Sequence, residues 1–203
     1  MAGLKTKPDI RYAEFSSAWE QRKWIDTVDI STNMVDNKTG KYDDLPHIGP
    51  GNIPSFSGCL FDNVKTVKED NLISGKFHFN KDDVIYGKIN PQLEKYVFAL
   101  FEGLASADAY VLNAKNGLAQ EFLFILLQTY HFFKYSVSVS MRSGMPKINR
   151  DELNEYEFNA SNFSEQKQIG DFFLCLEHLI TLPQREYSKA VNIKKAMLEK
   201  MFV

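Results

Sequence analysis

The sequence predicts an α+β protein, a mixed α/β domain over residues 1–160 followed by a long coiled-coil-like helix over 161–203. Three observations carry that reading. Short stretches before residue 114 have the β-branched and aromatic content of strands and are parted by Gly, Pro and Asn turn signals. LAQEFLFILLQTYHFFK (118–134) instead repeats its apolar residues at helical spacing. The last forty residues carry apolar positions at alternating steps of three and four, the period of a coiled-coil seam.

In chain order, residues 1–18 read as an irregular lead-in. HIGPGNIPSFSG (47–58) holds three Gly and two Pro and is a loop with short strand-like arms. DVIYGKI (83–89), KYVFALF (95–101) and ADAYVLN (107–113) are strand-like, the first two divided by Asn90-Pro91. Leu118, Phe122, Ile125, Leu126, Thr129, Phe132 and Phe133 then follow one helical face, and Leu123, Phe124 and Leu127 make that helix apolar nearly all round. SVSVS (136–140) alternates and predicts a strand, and INRDELNEYEF (148–158) leads back to another. Asn162 or Ser164 caps the closing helix, with Glu165 in the first turn, where the helix dipole favours an anion. Its seam is Ile169, Phe172, Leu176, Leu179, Pro183, Glu186, Ala190, Ile193 and Met197. A continuous helix over 164–202 would extend about 58 Å and cannot bury its stripe on one small domain. Pro183 lacks an N–H and clashes with the preceding turn, so a kink or break is expected near residues 179–183.

Composition excludes several classes. With 44% hydrophobic and 13% aromatic residues, the 203-residue chain can bury a real core and is not disordered. The 24 basic and 26 acidic residues nearly cancel, so no global positive field points to a polyanion. Locally the balance differs. Lys134, Arg142, Lys147 and Arg150 stand in a window without an acid, and Asp151, Glu152, Glu155 and Glu157 follow at once. A solvated loop gives the same pattern. Cys59 and Cys175 are in no metal or redox spacing and read as buried thiols of a reducing compartment. The polar start is no secretory signal, and the longest apolar run, FLFILL (122–127), is about a third of a membrane span. A soluble, cytoplasmic protein is expected.

No catalytic constellation emerges. GPGNIP (49–54) has Pro54 where a dinucleotide-binding loop needs its third glycine. INPQL (89–93) begins like the Asn-Pro-Pro-aromatic tetrad of adenine amino-methyltransferases but has Gln92 and Leu93 in the last two places. His47, His78, His131 and His178 share no ligand spacing with acids or cysteines, and Ser143 lacks the frame of a nucleophile elbow. Asp82 and Asp83 would point to opposite faces of a strand. A binding protein without metal or cofactor is expected.

Two loops carry the binding chemistry. Lys88, Asn90, Gln92 and Lys95 lie in YGKINPQLEKY (86–96), and Arg142, Ser143, Lys147 and Arg150 lie in or beside SMRSGMPKINRDEL (140–153). Asn and Gln pair with adenine edges, Arg and Lys with guanine or phosphate, and Gly144 lets the backbone approach a phosphate. A bland solvated surface is the alternative for each residue.

AWEQRKW (18–24), HIGPGNI (47–53), SGKFHFNKDDVIYGKINPQLEKY (74–96), SADAYVLN (106–113), SVSVSMRSGMPKINRDELNEYEF (136–158), EQKQIGDFF (165–173) and NIKKAMLEKMF (192–202) together resemble the specificity subunit of type I restriction-modification enzymes. The resemblance implies that residues to about 160 form a target recognition domain reading one half of a bipartite DNA site. It also implies a spacer helix that pairs antiparallel with a second copy and docks modification subunits. Those partners would carry S-adenosylmethionine and methylate adenine, and a restriction subunit would add cleavage. A full subunit has two recognition domains and two spacer helices; this sequence has one of each, as a natural half-subunit or a fragment. SNFSEQ (161–166) also replaces the usual proline-containing approach to EQ. Base-contacting residues vary within the family, so none transfers by motif. The competing class is an assembly protein whose helix, through Ile169, Phe172, Leu176, Leu179, Ile193 and Met197, only makes oligomers. An enzyme in its own right is a third reading.

Overall fold

Side chains alternating across one four-stranded sheet organise the molecule. The computed structural model describes residues 8–72, 74–141 and 144–201, with the backbone alone over parts of 182–201. The first half comprises β1 (Glu20–Lys23), α1 (Trp24–Thr27), β2 (Val28–Ile30), β3 (Met34–Val35), β4 (Pro46–Ile48), β5 (Lys65–Thr66) and β6 (Lys76–Phe79). There follow β7 (Val84–Gly87), β8 (Tyr96–Phe98), β9 (Gly103–Ala105), β10 (Ala109–Ala114), α2 (Gln120–Leu126), α3 (Tyr130–Ser140), α4 (Arg150–Asn154), β11 (Glu157–Ala160) and α5 (Phe163–Met201). The class is α+β with a long C-terminal helix.

The central sheet has the order β2-β10-β7-β8 and is antiparallel throughout. Period-two alternation divides its residues between two cores. Val84, Tyr86, Tyr96, Tyr110 and Leu112 face the helices, where Trp24 stacks on Phe132 at 5.6 Å and Phe132 meets Tyr86 and Tyr156 edge-on. Ile85, Val97, Ala109 and Val111 face Ile53 of the loop after β4 and Ile48 and Phe79 of a second sheet, ordered β3-β6-β9-β4-β5, in which β4 and β9 run parallel. Each large side chain so buried contributes about 1.5–3 kcal/mol. The strands expected at 83–89, 95–101 and 107–113 are β7, β8 and β10.

Two local expectations are corrected, and a third is refined. The helix expected over 118–134 is two: α2 stops at Leu126, and the Thr129 hydroxyl accepts from Phe132 N–H at 3.3 Å to start α3. SVSVS is the end of α3, not a strand. The Ser136, Ser138 and Ser140 hydroxyls donate to carbonyls three residues back, at 3.0, 2.7 and 3.0 Å. Ser136 and Ser140, one turn apart, are buried. INRDELNEYEF opens as α4, where the Asn149 N–H donates to Glu152 Oε2 at 2.7 Å, before β11 begins.

The closing helix does not break: α5 runs through Pro183 as one 39-residue element. Asn162 Oδ1 accepts from the Glu165 N–H at 3.0 Å, so Asn162 is the cap. Arg11 donates twice to the fully buried Glu165 carboxylate, each at 2.7 Å, and Trp19 adds a third donor at 3.4 Å. Gln166, also fully buried, accepts from Ala119 N–H at 3.0 Å and donates to Ser161 and Gly117 carbonyls. The EQ pair therefore clamps the lead-in and the start of α2 to α5. Gly170 allows the crossing, because a Cβ there would lie 2.4 Å from Glu121 Cβ. Cys59 is partly exposed and Cys175 exposed, not the buried thiols expected. Among the described residues no helix is long and apolar enough to cross a membrane.

Candidate nucleic-acid interface

The two polar loops, far apart in sequence, meet as a strand-like pair. Ile89 and Lys147 form an antiparallel bridge, with Ile148 N–H donating to Lys88 O at 3.0 Å and Asn90 N–H to Pro146 O at 2.8 Å. Beyond the bridge, a 3-10 turn over Pro91–Leu93 is bounded by Asn90 and Glu94, both left-handed at φ 51° and 43°. Gln92 and Leu93 are exposed on that turn, and Gln92 Nε2 donates to Asn90 Oδ1 at 3.4 Å.

Lys88 stands over the Tyr110 ring at 5.2 Å and Arg150 over the same ring at 5.5 Å. Burial, with Lys147 and Arg150 close by, lowers the Lys88 ammonium below the usual lysine value, and Asp108 partly opposes this. Such a cluster has more positive charge than its own acids balance, the arrangement that takes an anion.

Other expected residues are placed differently. The Arg150 guanidinium is turned inward, donating to Ile30 and Ser31 carbonyls at 2.8 Å each, and so fixes α4 to the end of β2. Lys95 Nζ donates to the Pro50 carbonyl, joining the 90–95 turn to the glycine-rich loop. Lys147 is exposed. Arg142 and Ser143 lie outside the described residues. Tyr110 and Asp108 were missed from sequence, since it is the antiparallel pairing of β7 with β10 that brings them beside Lys88, whose N–H donates to the Asp108 carbonyl at 3.0 Å. Among the described residues no group of three or more His, Cys, Asp or Glu is placed to hold a metal ion.

The second candidate surface is α5. Ile169 packs partly against the domain core, whereas Phe172, Leu176, Leu179, Ile193 and Met197 are 50, 37, 59, 60 and 54% exposed. Phe173, Ile180 and Tyr187, at seven-residue steps, form a neighbouring exposed line.

Comparisons with known proteins show what the whole chain is similar to. The description of the type I restriction modification DNA specificity domain matches residues 17–190. The type I restriction enzyme EcoDI specificity subunit of Escherichia coli is 27% identical over 188 residues, which are 91% of this chain and 41% of that protein. The HsdS subunit from Thermoanaerobacter tengcongensis superposes with a TM-score of 0.65 at 17% identity, over 90% of this chain and 48% of its own. The type I restriction-modification S subunit from M. genitalium does so with a TM-score of 0.59 at 11% identity, over 97% and 47%. The chain thus spans less than half the length of each relative. A match over most of this sequence, on a fold shared with two S subunits, shows that the chain belongs to the type I restriction modification DNA specificity domain family.

Proposed function

We propose that this chain reads one half of a bipartite double-stranded DNA target and holds the modification subunits, and a restriction subunit where present, on that site. The observation that carries the reading is the bridge at Ile89 and Lys147, which unites two loops, far apart in sequence, that carry the cations and amides. Lys88 and Lys147 then supply phosphate contacts, and Asn90 and Gln92 supply base-edge contacts. The chain itself performs no chemistry in this reading; S-adenosylmethionine belongs to the modification partner. The exposed seam on α5 pairs with a second copy, and the line Phe173, Ile180 and Tyr187, beside that seam, is left for another subunit.

A gel-shift titration with the modification subunits present, together with mapping of the methylated motif in DNA from cells expressing the complex, tests this directly. Sequence-dependent binding and one bipartite motif are expected. The competing assembly role, favoured by the exposed α5 face alone, predicts oligomers and no DNA contribution from the chain. Equal affinity for all duplexes with and without this chain would establish that role instead.

A further inference from the structure

Tyr110 carries a buried hydroxyl on a sheet face that is otherwise apolar around it. It lies on β10, opposite Tyr86 of β7, and its ring joins the same core as Leu112. A phenylalanine would fill that space equally. The hydroxyl is used instead in a buried bond to the Ile148 carbonyl at 3.2 Å. Ile148 is thereby held at both backbone polar groups, because its N–H donates to the Lys88 carbonyl at 3.0 Å. The exposed Lys147 directly precedes it, and the Pro146 carbonyl accepts from the Asn90 N–H at 2.8 Å. One hydroxyl on a sheet strand therefore fixes residues 146–148 against residues 88–90. The ring acts on the cations. Lys88 Nζ stands 5.2 Å and Arg150 Cζ 5.5 Å from its centroid, within range of a cation–π contact. Arg150 is also tied to the Ile30 and Ser31 carbonyls. Among the described residues the Lys88 ammonium has no hydrogen-bond or ion-pair partner. Burial and the Lys147 charge disfavour that ammonium, and Asp108 only partly opposes them. The ring thus holds a cation whose donors are left for an anion.

We propose that Tyr110 is the positioning residue of the DNA-reading face, its hydroxyl setting where Lys147 and Asn90 stand and its ring where the Lys88 ammonium stands; the inference rests on the DNA-reading function. Reading a base edge demands that amide and cation keep one mutual geometry, whereas a phosphate contact demands only a cation in place. The two parts of the side chain therefore have separable effects.

The test uses the full chain assembled with its modification subunits, bound to duplexes with and without the mapped motif across a salt series. Each protein is kept well below its melting temperature, with circular dichroism confirming the fold. Tyr110→Phe keeps the ring and should lower the ratio of motif to unrelated-duplex affinity by roughly tenfold at the parent's salt slope. Tyr110→Leu should lower the ratio as far and also reduce the slope of log affinity against log salt by about 1. Lys88→Gln should then remove no further slope in the Tyr110→Leu background, yet remove its full share in the Tyr110→Phe background. A tyrosine serving stability alone would shift melting temperatures and leave ratio and slope at the parent's values, which would overturn the inference. Should Tyr110→Leu not fold, Tyr110→Phe decides: an unaltered ratio overturns the inference, and a lowered ratio at the parent's slope supports it. A parent protein with no preference for the motif would instead overturn the DNA-reading function itself.

Discussion

If the proposed DNA-reading face is right, Lys88 serves binding at a cost in stability. Its ammonium is partly desolvated and faces Lys147 and Arg150, so the fold holds it below its ordinary value. A lysine lowered in this way destabilises the fold in full below its folded pKa, and the penalty disappears as pH rises through that value to the unfolded one. Lys88→Gln should therefore melt at or above the parent's temperature near neutrality, with the gap narrowing in alkaline buffer. The same change should weaken DNA binding at every sequence and reduce the slope of log affinity against log salt by about 1. A lower melting temperature with unchanged salt dependence would mean that Lys88 only supports Tyr110. The amides make a different prediction. Asn90→Gly suits the left-handed backbone, and Gln92→Ala changes an exposed side chain. Each should relax base preference by about 1–3 kcal/mol at one position of the motif, and methylation mapping would reveal it. At this scale the sequence located the cationic loops but not what each cation does. The carbonyls that turn Arg150 and Lys95 inward belong to Ile30, Ser31 and Pro50, distant in the chain and without a side-chain signature.

Elements were legible where one periodicity acts alone. β7, β8 and β10 read as short apolar runs because each faces two apolar cores, and α5 keeps its seam over many turns. SVSVS misled because serine is neither committed to solvent nor to a strand: back-bonding to the preceding turn makes it neutral enough to sit on a buried helix face. The split between α2 and α3 was hidden for the related reason that apolar residues continue across it on all sides. Gly170 carries a signal that sequence alone could not weigh, since glycine within a helix is ordinarily only unfavourable. Its role is the crossing of α5 over α2, where an added Cβ would meet Glu121 Cβ at 2.4 Å and its carbonyl carbon at 2.9 Å. Gly170→Ala is expected to destabilise the fold by about 1–3 kcal/mol, despite alanine's better helix propensity. Urea denaturation checks this; a stabilised variant would show that the two helices separate at no cost.

For the whole molecule, the open question is what covers α5. The helix is anchored at its start by Glu165, Gln166 and Gly170, and the remainder of its 39 residues extends for much of about 58 Å. Among the described residues nothing covers Phe172, Leu176, Leu179, Ile193 and Met197. Burying each would contribute about 1.5–3 kcal/mol, a strong drive to associate. Because the seam runs on both sides of Pro183, a second copy laid antiparallel brings residues near 172–179 of one chain against those near 193–197 of the other. Such a contact would be isologous and would close as a two-fold dimer, with the two proposed recognition domains at opposite ends of the paired helices. A dimer so built meets an inverted-repeat site, as two-fold DNA-binding proteins do. Proline at 183 would remove one backbone donor near the middle of that pairing, so the seams on either side would carry the association. Phe172→Asp combined with Leu176→Asp should give a folded monomer, with circular dichroism retaining the helix, that no longer recruits modification subunits. Light scattering at tens of micromolar decides the matter: a monomeric parent protein with its helix intact would sink the dimer and leave the DNA-reading domain to find its second half-site through a different partner.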